Sequence, residues 1–269
     1  MKSFFRNLIL LVVAAIVLVP FPAQAGAITM TATYFTIAPS DPDMNTLTGG
    51  AYSDEVLSTL GLDGLPLLNP AFPTAPLPQD LSVAGTNGAL ESGEITWWSP
   101  SLNPNVTETA TGTITLPYTC PASYGSTGVP ACYPPNGTGT NDGGTSGFQS
   151  IELSTILDVT SLESISFTYG ADDVAFIYLD GTNVCQLGGV HNVVPGTCTN
   201  DAYTLTPGDY TLEVFYADLE VSNAALTFDA TISSEPTPQS VPEPGSFGLA
   251  CLALAGFVVI RRRCAVKPN

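Results

Sequence analysis

The stretch Ile165–His191, ISFTYGADDVAFIYLDGTNVCQLGGVH, decides how the chain is read. Ile165, Phe167 and Tyr169 alternate with small polar residues, the pattern of a strand with one buried face. Gly170 and Ala171 are expected to break that run, and Asp172 and Asp173 follow side by side. Val174, Phe176 and Tyr178 then alternate with Ala175, Ile177 and Leu179, which predicts a strand apolar on both faces and central to a sheet. Asp180-Gly181 signals a two-residue hairpin, because glycine supplies positive φ at little steric cost. The returning strand covers Asn183 to Leu187 and ends at Gly188-Gly189. Two acidic side chains therefore stand at a strand start inside an apolar frame, where a positive partner is expected to balance them.

Outward from this stretch the strand signals continue. Ile28 to Ile37, Glu94 to Ser99, Val106 to Leu116 and Phe148 to Val159 read as strands, with Leu157 to Leu162 as a turn. Tyr203 to Thr206 and Tyr210 to Tyr216 flank a Pro207-Gly208-Asp209 turn, and Ala224 to Ile232 closes the domain. Asp54 to Leu60 is expected to form a short helix capped by Ser53. Gly61 to Gln79 reads as an extended, partly buried connection, and Tyr118 to Gly147 as a long loop suited to ligand contacts. The regular spacing of strands and Gly/Pro turns predicts an all-β fold, an antiparallel, jelly-roll-like sandwich over residues 26–232.

Charge narrows the function classes. The chain has 269 residues and a net charge of −18, with all six basic residues at its two ends: Lys2, Arg6, Arg261, Arg262, Arg263 and Lys267. Between them lies no lysine or arginine, so the domain has no such partner for an internal salt bridge. Nucleic-acid binding is excluded, since phosphate contacts need cationic side chains. The acidic surface serves solubility, or divalent cations from the medium neutralise part of it.

Residues 1–25 read as a secretory signal helix: Lys2 and Arg6, an apolar core from Leu8 to Val19, and a small-residue cleavage site at Ala23-Gln24-Ala25. Cysteine usage agrees with export. Cys120 and Cys132 lie close in sequence, as do Cys185 and Cys198, and in an exported protein such pairs read as disulfides rather than metal sites. Zinc is disfavoured because no CxxC spacing occurs and His191 is the only histidine.

Residues 233–240 form a polar, proline-containing linker. Then come Pro242-Glu243-Pro244, an apolar run from Phe247 to Ile260, and Arg261-Arg262-Arg263, with residues 265–269 as a tail. The segment 241–264 resembles the PEP-CTERM sorting signal, with all three parts in order. That resemblance implies export by a Gram-negative bacterium, recognition by an exosortase-type membrane protease, and a single C-terminal membrane helix engaging the inner membrane transiently. A run of about 15 apolar residues is roughly 22 Å of helix, short for a permanent span. The arginines would hold the C-terminus in the cytoplasm and leave the domain outside. The expected destination is the cell surface or extracellular matrix.

The segments FTYGADDVAFIYLDG, QLGGVH (Gln186–His191) and LTPGDYTLEVFYAD (Leu205–Asp218) resemble the fibro-slime domain, a relative of the anthrax protective-antigen-type β-sandwich. The likeness covers about 70 residues, Ile165 to Ile232. It implies a calcium ion held by Asp172 and Asp173, joined through a cis peptide, in a sugar-binding module. Many fibro-slime sequences carry Asp where this chain has Gln186.

Trp97-Trp98 is the only tryptophan pair, and a regular strand would turn one ring inward and one outward. An exposed Trp98 would stack on a sugar or cover the sandwich edge. Trp98, Gln186 and His191 complete the candidate ligand-contacting set. No catalytic constellation emerges. A triad would have to use His191, and a glycosidase needs two carboxylates facing each other across about 5–9.5 Å. Asp172 and Asp173, as strand neighbours, would point to opposite faces; other acids, such as Asp158 or Glu213, are left to pair in space. Two readings stand: a calcium-dependent module binding exopolysaccharide or cell-surface glycan, or a structural matrix and biofilm protein with no ligand. A secreted glycan hydrolase is the outsider.

Overall fold

Val174–Leu179 is buried at all six positions. An apolar strand achieves this only with a neighbour at each edge and a layer over each face. The computed structural model supplies all four; it describes residues 27–44, 50–71, 90–91, 93–119, 131–132, 147–220 and 223–234. The expected signal helix, residues 235–240 of the linker, the sorting segment, the C-terminal membrane helix and Cys120 lie outside the described residues, while Ser233 and Ser234, expected in the linker, end the last strand.

In chain order the strands are β1 (Thr29–Ile37), β2 (Val56–Leu60), β3 (Pro66–Leu68), β4 (Leu90–Glu91), β5 (Glu94–Ile95) and β6 (Val106–Thr115). Then follow β7 (Ala131–Cys132), β8 (Phe148–Val159), β9 (Glu163–Asp172), β10 (Val174–Leu179) and β11 (Thr182–Leu187). The last are β12 (Val194–Pro195), β13 (Thr197–Cys198), β14 (Tyr203–Leu205), β15 (Gly208–Ala217) and β16 (Ala224–Ser234). The larger sheet runs β4-β5-β3-β2-β11-β10-β15-β8-β1-β6, with β13 also on β11. The smaller runs β12-β9-β16-β7, with β14 also on β9. Pairing is antiparallel except between β16 and β7. The described residues are thus all-β, as the alternation predicts.

One core lies between the sheets. Ile177, Leu153 and Val214 of the larger sheet share it with Ile165, Tyr169, Leu226 and Phe228 of the smaller. A second core covers the opposite face of the larger sheet: Val174, Phe176 and Tyr178 pack with Phe35, Phe148 and Phe215 beneath Met44, Val56, Leu65, Trp97 and Trp98. Every side chain of β10 therefore has an apolar layer to enter. The Asp180-Gly181 turn forms as expected, with φ of 51° and 70°.

Four local expectations fail, each for a tertiary reason. Asp54 to Leu60 is not a helix; Val56–Leu60 is a strand pairing with β3 and β11. The Gln186 side chain holds it by both backbone groups of Val56. Gly170 and Ala171 do not interrupt β9, which runs through to Asp172. Gly170 is needed there for close approach, because a Cβ would sit 3.0 Å from the Val194 carbonyl oxygen. The strand expected over Glu94 to Ser99 stops at Ile95, and both tryptophans lie in the turn beyond it. Finally, the turn expected over Leu157 to Leu162 starts only after Val159, because β8 keeps its expected bounds, Phe148–Val159, and pairs with β15 up to Gly208.

Candidate functional site

Asp172 is the last residue of β9 in the smaller sheet, opposite Ala225. Val174 opens β10 in the larger sheet, opposite Ala217. Asp173 is the joint at which the chain passes from one sheet to the other, and the Asp172–Asp173 peptide is cis. Both residues are buried, at 5% and 1% exposure.

The two carboxylates do not splay to opposite faces, because the pair straddles a corner instead of lying within one pleated strand. Asp173 Oδ1 accepts the His191 N–H at 2.8 Å, and Asp172 Oδ2 accepts the Val193 N–H at 3.1 Å. Successive acids therefore grip amides two residues apart on one loop. Asp173 Oδ2 accepts the Leu219 N–H at 2.8 Å, which ties in the chain beyond β15. The Tyr216 hydroxyl donates to the Asp172 carbonyl at 2.7 Å.

Burial pushes the Asp173 carboxyl up to about 7, against the pull of the His191 and Leu219 N–H groups; the Glu220 charge raises it further. Glu55 belongs to the same neighbourhood. It is fully buried, and its Oε2 accepts the Gly189 N–H at 2.6 Å while Oε1 has no hydrogen-bond partner. Burial pushes Glu55 up to about 8; the Gly189 N–H lowers it, and the charges of Asp43, Asp173 and Asp54 raise it. With no lysine or arginine among the described residues, protons or added cations must balance this acid.

Glu55 and the buried Asp43 are absent from the sequence-predicted set. Reading Asp54 to Leu60 as a short helix hides Glu55, and no local signal marks either acid as buried. Asp43 accepts a hydrogen bond from Trp97 Nε1 at 3.1 Å, while Asp41 collects the side chains of Asn103 and Asn105. These bonds fasten the loop after β1 over the second core.

Trp98 is not an exposed platform, which corrects the sugar-stacking expectation. It is 3% exposed, meets Trp97, Phe176 and Phe215 edge to face, and donates from Nε1 to the Tyr216 carbonyl at 2.9 Å. Gln186 is half-buried and uses its amide on Val56 and Asn183. His191 is buried beside the acid pair. Its Nδ1 donates to the Asn192 carbonyl at 2.9 Å, Nε2 has no hydrogen-bond partner, and burial lowers its pKa. A neutral imidazole results. Asp158 and Glu213 do not face each other; their rungs on the β8–β15 ladder place them opposite Asp209 and Ser154.

Cys185 and Cys198 form the expected disulfide, joining β11 to β13. The Cys120–Cys132 pairing lies outside the described residues.

The donor chemistry at the corner suits a hard cation, since both acids offer anionic oxygen. Among the described residues, however, no three acidic, histidine or cysteine side chains converge closely enough to hold a metal ion. Two carboxylates are what the corner provides.

Three solved structures show partial likeness. A PA14 sugar-binding domain from an RTX adhesin is 22% identical over 36% of this chain, with a TM-score of 0.26, and this chain spans 51% of its length. The PA14 domain of the MpAFP antifreeze protein is 11% identical over 81% of this chain and 90% of its own, at 0.30. A GH31 alpha-xylosidase from Xanthomonas citri is 21% identical over 40% of this chain and 11% of its own, at 0.27. Likeness at these scores says nothing about what this chain binds. No curated protein matches the sequence. Residues 240–263 match the PEP-CTERM protein-sorting motif, so the chain carries the address of an exported protein sorted by an exosortase.

Proposed function

We propose that this chain is a surface or exopolysaccharide-matrix protein whose sandwich is a calcium-dependent carbohydrate-binding or adhesive module, with Asp172 and Asp173 as the metal pair. The observation that carries the reading is the convergence of both carboxylates on the loop His191–Val193, in a domain without one lysine or arginine. Each carboxylate oxygen that accepts one N–H keeps a second lone-pair direction for a cation. Backbone carbonyl and water oxygens would complete the six to eight ligands that Ca²⁺ takes. His191, neutral and buried beside the pair, adds no competing positive charge. The proposal includes no catalytic step.

Calorimetric titration with Ca²⁺ tests it, comparing wild type with Asp172→Asn/Asp173→Asn. Heat of binding in wild type alone is expected, and glycan retention on an array should fall with chelator. Equal heats from both proteins, or none, remove the calcium site. One observation favours a second reading, a structural matrix protein without a ligand: both Asp173 oxygens already hold backbone amides, so the pair has a purely architectural use.

A further inference from the structure

At the far end of β10 from the acid pair, six residue steps and about 20 Å away, the sandwich carries a cleft of about 380 Å³. That lies within the size range of small-molecule sites, about 300–1,000 Å³. One wall is the β10–β11 hairpin, with Asp180, Thr182 and Asn183; the other is the segment from Thr199 to Leu205. Leu179, Val184 and Leu205 are buried and line its base, and the half-buried rings of Tyr203 and Tyr210 also face it.

The walls are held in place. The Cys185–Cys198 disulfide ties the segment before Thr199 to β11. The Tyr203 hydroxyl donates to the Val184 carbonyl at 2.7 Å across the cleft and accepts the Asn200 N–H at 3.1 Å. The Tyr203 ring also packs against Phe167, with centroids 6.0 Å apart. Tyr210 is fixed through its hydroxyl, which contacts the Thr206 N–H and hydroxyl, each at 3.1 Å. Both aromatic rings are thus anchored by hydrogen bonds to their neighbours in the fold, so a ligand meets a surface already ordered.

By contrast, the polar rim is unspent. The side chains of Asp180, Thr182, Asn200 and Thr204 line the cleft, are exposed, and make no hydrogen bond among the described residues. An amide, two hydroxyls and a carboxylate around an apolar floor with two tyrosine rings match a ligand with a hydroxyl-bearing edge and a C–H face. Anionic ligands are selected against: Asp180 lines the cleft and the described residues contain no lysine or arginine.

We propose that this cleft is a second binding site, independent of calcium and of the Asp172–Asp173 corner, and that its ligand is a neutral saccharide unit. Two sites at opposite ends of one sandwich let a single domain bridge glycan chains, and the modest contact area predicts a Kd of order 1 mM.

Backbone amide shift mapping of the full chain tests this, in lauryldimethylamine oxide micelles, a detergent with no sugar headgroup. The probes are methyl β-D-glucoside, methyl β-D-galactoside and N-acetylglucosamine at millimolar concentrations with EDTA present, and glucuronate as the anionic control. At least one neutral probe should shift amides of the hairpin Leu179–Val184 and of Thr199–Tyr210, while glucuronate shifts none of them. Asn200→Ala and Thr204→Ala alter exposed side chains that make no hydrogen bond among the described residues; each should weaken the neutral probe about 3- to 10-fold. No shift at the cleft with any neutral probe, equal shifts with glucuronate, or unchanged affinity in both variants overturns the proposal. Because EDTA is present throughout, failure here is separable from failure of the calcium reading.

Discussion

Glu55 and Gly189, 134 positions apart in sequence, are joined by a buried hydrogen bond of 2.6 Å from the glycine N–H to the glutamate Oε2. The same loop is gripped two residues later by Asp173. Two buried acids from opposite parts of the chain therefore hold the Gly188–His191 turn, and the described residues offer neither of them a lysine or arginine.

This arrangement makes stability pH-dependent in a defined direction. Glu55 titrates near 4.5 when unfolded and is pushed up to about 8 in the fold, chiefly by burial. The folded state then binds the proton more tightly than the unfolded state. Its stabilising contribution is complete below the unfolded value and is lost as pH rises through the folded value. Denaturant midpoints should fall between pH 5 and 8, and Glu55→Gln should flatten that dependence by retaining a neutral acceptor for Gly189. A wild-type midpoint that rises over this range refutes the assignment.

Gln186 acts as a latch for β2. Its Oε1 accepts the Val56 N–H at 3.0 Å and its Nε2 donates to the Val56 carbonyl at 3.2 Å. Gln186→Ala should cost about 1–3 kcal/mol. In hydrogen exchange, protection should drop at Val56–Leu60 before it changes in β8 or β15. Uniform loss across the larger sheet would show that the latch is not local.

For Trp98 a structural role and a ligand role predict different outcomes. Trp98→Phe keeps an aromatic ring against Phe176 and Phe215 but leaves the Tyr216 carbonyl without its indole donor. Thermal melts should show a loss of about 1–3 kcal/mol. Glycan retention measured at a temperature where the variant is folded should equal wild type; a selective loss of retention would reinstate Trp98 as a contact residue.

The Cys185–Cys198 bridge closes a loop with a sequence separation of 13. Chain-entropy arguments assign such a loop about 3 kcal/mol. Cys185→Ala/Cys198→Ala should lower the unfolding free energy by that order, and reductant should lower the melting temperature of wild type more than that of the variant, which keeps Cys120 and Cys132. Equal sensitivity of both proteins to reductant would locate the effect elsewhere.

Much of the sheet structure was legible because strand alternation is local. The β10–β11 hairpin follows from apolar residues at every position and an Asp-Gly turn. The first strand and the β15 aromatic run follow in the same way. By contrast, β2 was illegible: its sequence suits a capped helix turn, and the Gln186 side chain that holds it open lies 130 positions away. The candidate corner was half legible. Adjacent acids are plain to see, but Glu55 beside them is not, since nothing near Glu55 announces that it will be covered.

Sequence alone determined the alternation that makes sheets, the confinement of basic residues to the two ends, and the sorting motif at the C-terminus. These properties depend on residues a few positions apart, or on composition. Tertiary structure decided that Asp172 and Asp173 turn to one loop, that Trp98 is inside, and that Glu55 carries its proton near neutral pH. Direction at a corner, burial and proton affinity depend on groups brought together from distant parts of the chain, and no local pattern encodes them.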